Sequence, residues 1–405
     1  MSDDKSDVVI PKGWKSGSLG EFCEMYQPRT ISTKELIDDG DYPVYGANGQ
    51  IGFYNLFNHE DSEVTVTCRG ATCGTVNVIP AKSWITGNAM VVRPLDNCMS
   101  KELLHYLLNS LDFTNVITGT AQPQITRTTL TKTQIVVPAP KEQKQIVEIL
   151  EEQLSRLDSA LDSVRVVREK AVRFRRSLLH AAFTGLLTSH DTLPGELPEG
   201  WVQKQLVDVC LKVSKVDPLE LNRETFKYVD IGSIESETNS VESPQVLSVK
   251  DAPGRARQLL HQGDSVFSTV RPYLKNIAYI NDALDGEIAS TGFCVIRPNP
   301  KLVSACLLKF FVISDNLLDQ ILPLQRGVSY PAVRDREVLS ALINLPPPAE
   351  QQKIVEILEE QLSRLNGSLA IADVIEKKAS ALRRSLLHAA FTGELTKEWR
   401  EGIYV

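Results

Sequence analysis

Histidine, cysteine and carboxylate side chains do covalent or acid–base chemistry only where the chain brings them together. Here they are spread out. The six histidines are scattered; His180 and His388 share an LLHAA setting, with no carboxylate or cysteine at ligand spacing. That setting suits packing or a partner contact, not a metal. The seven cysteines, Cys23, Cys68, Cys73, Cys98, Cys210, Cys294 and Cys306, follow no disulfide or zinc framework. They read as reduced thiols of a cytoplasmic protein. No phosphate-binding G-x-x-x-x-G-K-[ST] loop occurs, and no G-x-S-x-G, H-E-x-x-H or D…E-x-K cluster stands out. Asn344-Leu345-Pro346-Pro347-Pro348 approaches the N-P-P-aromatic motif of amino-methyltransferases. Leucine interrupts it, and no ring follows to stack on a flipped base. The expectation is a binding protein with no catalytic residue, no metal site and no cofactor of its own.

Polar side chains gather instead on glycine-rich loops. One runs from Tyr45 to Gly52 and carries Asn48 and Gln50; another, after a β-like run, carries Arg69 and Thr72. A third holds Thr120, Gln122, Gln124 and Arg127. Later come Arg271, Tyr273 and Lys275, then Arg326, Ser329, Tyr330 and Arg334. Arg69 and Arg271 each follow a β-like run, and Gly119 and Pro123 fall on Gly327 and Pro331 in an internal repeat.

That repeat governs the elements that must position these loops. IVEILEEQLSRL occurs at Ile146–Leu157 and again at Ile354–Leu365, and RRSLLHAAFTG at Arg175–Gly185 and Arg383–Gly393, with one offset (354 − 146 = 208). The letters between drift while the length stays fixed, so geometry is being held. The first stripe is Ile146, Leu150, Leu154, Leu157, Leu161, Val164, Val167, Ala171, Phe174, Leu178 and Ala181. The second runs Ile354, Leu358, Leu362, Leu365, Leu369, Ala372, Ile375, Ala379, Leu382, Leu386 and Ala389. Ten steps over 35 residues (181 − 146 = 35) average 3.5, the period of a coiled-coil seam. Each copy predicts a helix of about 45 residues, roughly 65 Å long. Pro140 and Pro348 precede the copies, and Gly185 and Gly393 stop them. The two seams are expected to pair antiparallel about a pseudo-twofold axis. Gly367 in the second helix suggests a bend or a place where a partner's backbone comes close.

The chain of 405 residues carries a formal net charge of −7, which argues weakly against nucleic-acid binding, although distribution outweighs the sum. No apolar run is long enough for a membrane span, and the first residues are too acidic and polar for a secretion signal. The expected plan is mixed α/β. A disordered tail at 1–10 precedes a globular domain at 11–139 and a helix at 140–187. A second domain at 194–347, a helix at 348–396 and a tail at 397–405 follow. Both domains open on P-x-G-W, at Trp14 and Trp201.

PAPKEQKQIV at Pro138–Val147, PPPAEQQKIV at Pro346–Val355, the RRSLLHAAFTG runs and the P-x-G-W openings resemble the specificity subunit of type I restriction–modification systems. The resemblance covers nearly all of the chain after residue 10. It implies two target-recognition domains, each reading half of a split double-stranded DNA site, with helical spacers fixing the gap. It also implies two methyltransferase subunits that methylate adenine N6, and two motor–nuclease subunits. S-adenosylmethionine, ATP and magnesium would then sit on those partners. Gln122 and Gln124 suit adenine, and Arg127, Arg326 and Arg334 suit guanine or phosphate. The other loop residues named above complete the expected DNA contacts. Arg175, Arg176, His180 and Phe183, with Arg383, Arg384, His388 and Phe391, are the expected partner contacts. Alternatives are a specificity module of a methyltransferase-only assembly and a coiled-coil scaffold without nucleic acid.

Overall fold

The computed structural model describes residues 10–47, 49–119, 122–189, 196–327 and 329–402. Of the expected tail at 1–10, residues 1–9 lie outside the described residues. Two compact units form: Met1–Val164 with Asp373–Val405, and Arg165–Ala372. Both long helices are continuous, Pro140–Thr184 and Pro348–Thr392, at 45 residues each. The unit boundaries fall inside these helices, not at their ends. Each unit therefore holds one globular segment, the first half of the helix that follows it, and the second half of the other helix. Apolar burial dictates this: Ile146, Leu150 and Leu154 share a core with Leu387 and Ala390, and Ile354 and Leu358 with Leu178 and Leu179.

In the first unit, Lys15–Ser18 pairs antiparallel with Gln134–Val137, so the segment begins and ends on one ribbon. Between them lies an antiparallel sheet in the order Cys23–Tyr26, Ala89–Pro94, Glu63–Thr67, Val76–Ile79. The helix Lys101–Ser110 packs on it through Leu103, Leu104, Leu107 and Leu108, all buried as their spacing predicts. Such a leucine contributes about 1.5–3 kcal/mol. A second, three-stranded sheet joins Gly49–Tyr54, Tyr42–Gly46 and Trp84–Ile85.

The second unit repeats the plan. Val202–Gln205 pairs with Leu342–Leu345, and Cys210–Leu211, Phe293–Pro298, Ser265–Ser268 and Ile277–Tyr279 form the equivalent antiparallel sheet. Its second sheet has four strands, Gln245–Ser248, Thr225–Val229, Ile288–Ser290 and Ala256–Leu259, and a hairpin at Ile234–Val241 is added. The longer second segment is used there.

The repeated P-x-G-W and E-Q motifs close each unit. Trp14 Nε1 donates to Glu142 Oε2 at 2.7 Å, and Glu142 Oε1 accepts from Thr396 Oγ1 and Arg400 Nη1, both at 2.5 Å. In the second unit Glu350 accepts from Trp201 Nε1 at 2.9 Å and from Thr188 Oγ1 at 2.5 Å. The neighbouring amides act alike. Gln143 Nε2 donates to the Cys98 and Pro138 carbonyls, and Gln351 Nε2 to those of Leu302 and Pro346. Gly185 and Gly393 adopt φ +82° and +83°; a Cβ there would collide with Pro198 and Pro11 respectively. The expected tail from residue 397 is instead a short helix, Lys397–Arg400, held through Arg400.

The expected seam is not continuous. Val167, Phe174 and Leu382 are 44%, 45% and 50% exposed, while Ala171, Leu178 and Ala379 are buried. A straight helix of period 3.6 drifts away from a 3.5-residue stripe, so some stripe positions turn outward. Gly367 lies within an unbroken helix, and a Cβ added there would meet no atom of this chain within 4 Å.

Candidate nucleic-acid interface

One backbone clasp gathers the polar loops of each unit. In the first unit, Cys68 follows the strand Glu63–Thr67. Its N–H donates to the Asn88 carbonyl at 2.9 Å, and its own carbonyl accepts from Ile125 at 2.9 Å. Gly70 N–H reaches the Pro123 carbonyl at 3.2 Å, and Thr118 and Gln124 exchange two bonds of 2.9 Å. The hydroxyls of Thr67 and Thr72 donate to the Ala47 carbonyl at 3.1 and 3.2 Å. Three loops thereby border a hollow of about 580 Å³ lined by Arg69, Asn88, Gln122 and Gln124 among others. Gln50, Arg69, Gln122, Gln124 and Arg127 are exposed. Thr72 was expected at DNA but is half-buried with its hydroxyl on Ala47, so its evident work is to hold the loop. Asn48 and Thr120 lie outside the described residues.

In the second unit the clasp recurs bond for bond. Thr269 N–H donates to Gly292 at 3.0 Å, and Val333 N–H to Thr269 at 2.9 Å. Arg271 N–H donates to Pro331 at 2.7 Å, and Arg326 and Ala332 exchange bonds of 3.0 and 2.9 Å. This register corrects the pairing of Arg69 with Arg271: Arg271 occupies the place of Gly70, one residue on. A strand end alone does not fix such a register, whereas the cross-loop bonds do.

The cations of this edge differ in availability. Lys275 Nζ lies 2.6 Å from Asp315, which also pairs with Arg176 Nε at 2.6 Å. Arg326 lies 3.0 Å from Glu337. Glu337 accepts the Arg334 backbone N–H, and that bond, aided by nearby guanidiniums, holds its carboxyl below the usual value. Arg334 is exposed at the N-cap of the short helix Asp335–Leu339. Tyr273, Ser329 and Tyr330 are exposed. Among the described residues no group of three or more His, Cys, Asp or Glu could hold a metal ion.

A family described as "Type I restriction modification DNA specificity domain" matches residues 11–161 and 198–372, the spans that carry both clasps. The chain belongs to this family. Among relatives of this specificity family, the Type I restriction enzyme EcoDI specificity subunit of Escherichia coli is 23% identical over 96% of this chain and 90% of its own. The HindI specificity subunit of Haemophilus influenzae is 29% identical over 35% of this chain and 31% of its own. The HsdS subunit of Thermoanaerobacter tengcongensis, a solved structure, is 40% identical over 47% of this chain and 49% of that one, with a TM-score of 0.43.

For a specificity subunit, the expected partner contacts need revision. Phe183 is fully buried and meets the Phe311 ring edge-on at 5.2 Å between centroids. Phe391 is half-buried against the first unit's core. Both are core residues, because the aromatic of A-A-F-T-G faces inward at the helix end. Arg175 Nη2 donates to Asn239 at 3.0 Å, and burial pulls its guanidinium below the usual value. Arg176 pairs with Asp315, His180 lies 3.1 Å from Asn316, and Arg383 pairs with Asp158. Of the eight, Arg384 and His388 are exposed with no side-chain partner among the described residues.

Other helix residues are better placed: sequence reasoning assigned Val167, Phe174, Ile375 and Leu382 to the seam and passed over Val166 and Val374. In the second unit Val166, Val167 and Phe174 are exposed, and in the first unit Val374, Ile375 and Leu382. These are equivalent positions in the two copies (374 − 166 = 208). For Val166 and Val374 the signal was legible, because apolar residues beyond one stripe imply a second face.

Proposed function

We propose that this specificity-family chain reads a bipartite DNA site, one half with each unit's loop edge, and seats one methyltransferase subunit on each unit. It carries out no chemistry itself; methyl transfer and any cleavage belong to the partners. The observation that carries the reading is the repeated clasp. Identical backbone bonds present different side chains, which is what two readers of different half-sites require. Exposed glutamines and arginines supply donors to base edges and phosphates. The apolar positions Val166, Val167 and Phe174, matched by Val374, Ile375 and Leu382, offer equivalent seats to two copies of one partner. Motor–nuclease subunits would join that assembly.

Mapping methylated adenines with and without this chain tests the reading. A bipartite motif should vanish on deletion. Exchanging residues 11–139 for another such domain should alter one half only; alteration of both halves would refute separate readers.

A further inference from the structure

Arg271 differs from Lys275 and Arg326 on the second unit's loop edge. Lys275 and Arg326 face Asp315 and Glu337, whereas Arg271 has no ion pair among the described residues. Its Nε is buried without a hydrogen-bond partner. Its guanidinium carbon lies 5.0 Å from the centroid of the Tyr330 ring, which is 72% exposed. Stacking of this kind holds the guanidinium plane while leaving its edge free to donate.

The backbone points the same way. Arg271 sits at φ 48°, ψ 58°, a left-handed conformation that side chains with a Cβ rarely adopt. Lys275, at φ 51°, closes the same turn around Pro272–Leu274. At the equivalent clasp position the first unit has Gly70, at φ +87°, where an added Cβ meets nothing within 4 Å. Glycine fits this backbone without strain, yet the second unit carries arginine. A strained conformation that persists at a binding edge points to a use for the side chain. A phosphate contact needs only a cation, which lysine supplies equally well. A fixed guanidinium plane suits two parallel acceptors, and guanine offers O6 and N7 in the major groove.

We propose that Arg271 reads a guanine edge for the second unit, with Tyr330 as the platform that sets its plane. The proposal rests on the DNA-reading function above. The test uses the full chain with its methyltransferase subunit, comparing R271G and R271K with wild type. Methylated adenines are mapped, and duplexes with single-base changes compete for binding. R271G installs the residue found at Gly70 and should melt no lower than wild type. One position of the half-site assigned to residues 194–347 by domain exchange should relax from guanine to any base. Discrimination there should fall roughly 5- to 150-fold. R271K should recover affinity but not discrimination. An unchanged motif, a relaxed base other than guanine, relaxation in the other half, or equal weakening at every position including total loss would each overturn the assignment. A wild-type chain with no bipartite motif at all would instead remove the DNA-reading function, a distinct result.

Discussion

Glu142→Ala is the sharpest test of how the first unit is closed. The carboxylate is 2% exposed and accepts from Trp14, Thr396 and Arg400. Alanine leaves an indole N–H, a hydroxyl and a guanidinium without their acceptor. Arg400 retains only its bond to the Gly393 carbonyl and its place beside the Trp14 ring. Removing one partner of a buried ion pair costs about 3–5 kcal/mol, a large share of a typical stability of about 5–15 kcal/mol. Glu350→Ala removes two hydrogen bonds from neutral donors, and among the described residues no cation pairs with Glu350. Hydrogen bonds to a charged group support about 2–3 kcal/mol there. Urea unfolding followed by tryptophan fluorescence measures both. Glu142→Ala should be the more damaging by about 1–2 kcal/mol. A Glu142→Ala loss below about 1 kcal/mol would refute the reasoning, because three donors, one of them charged, would have lost a buried acceptor at almost no cost.

Gly393→Ala should destabilise the first unit by about 2–4 kcal/mol in the same assay, since the new Cβ meets Pro11 and the left-handed φ disfavours it. His59 and His105 titrate below the usual imidazole value, because burial disfavours their charged forms. The unfolded chain therefore binds protons first, below about pH 6.5, and stability should fall as pH drops through that value. A urea midpoint at pH 5.5 equal to or above that at pH 7.5 would contradict this. Burial raises the Cys23 and Cys210 thiols to about 12, and that of Cys294 well above its usual value. These three should resist an aromatic disulfide reagent at pH 8 until the protein is unfolded; fast labelling of Cys23 in the native state would count against its burial.

Much of the architecture was legible in the chain. A duplicated stripe at 3.5 residues announced two long helices. The polar loops were also readable, because glycine and amide residues cluster between β-like runs. The pairing of Arg69 with Arg271 was misread, because register depends on bonds between loops distant in sequence. Phe183 was misread because a repeated motif looks the same whether it closes a core or meets a partner. Lys275 gave no sign of Asp315, which lies 40 residues away.

The sequence alone determined the duplication and the lengths of the helices, since these depend on local periodicity and residue type. Tertiary structure decided where the compact units divide, which cations are already paired and which helix faces remain apolar and exposed. Those outcomes depend on long-range packing: the halves of each helix are buried by different parts of the chain. The E-Q and P-x-G-W motifs mark the junction between the two kinds of knowledge. Their repetition is visible in the letters, but only the fold shows the tryptophan and the carboxylate meeting.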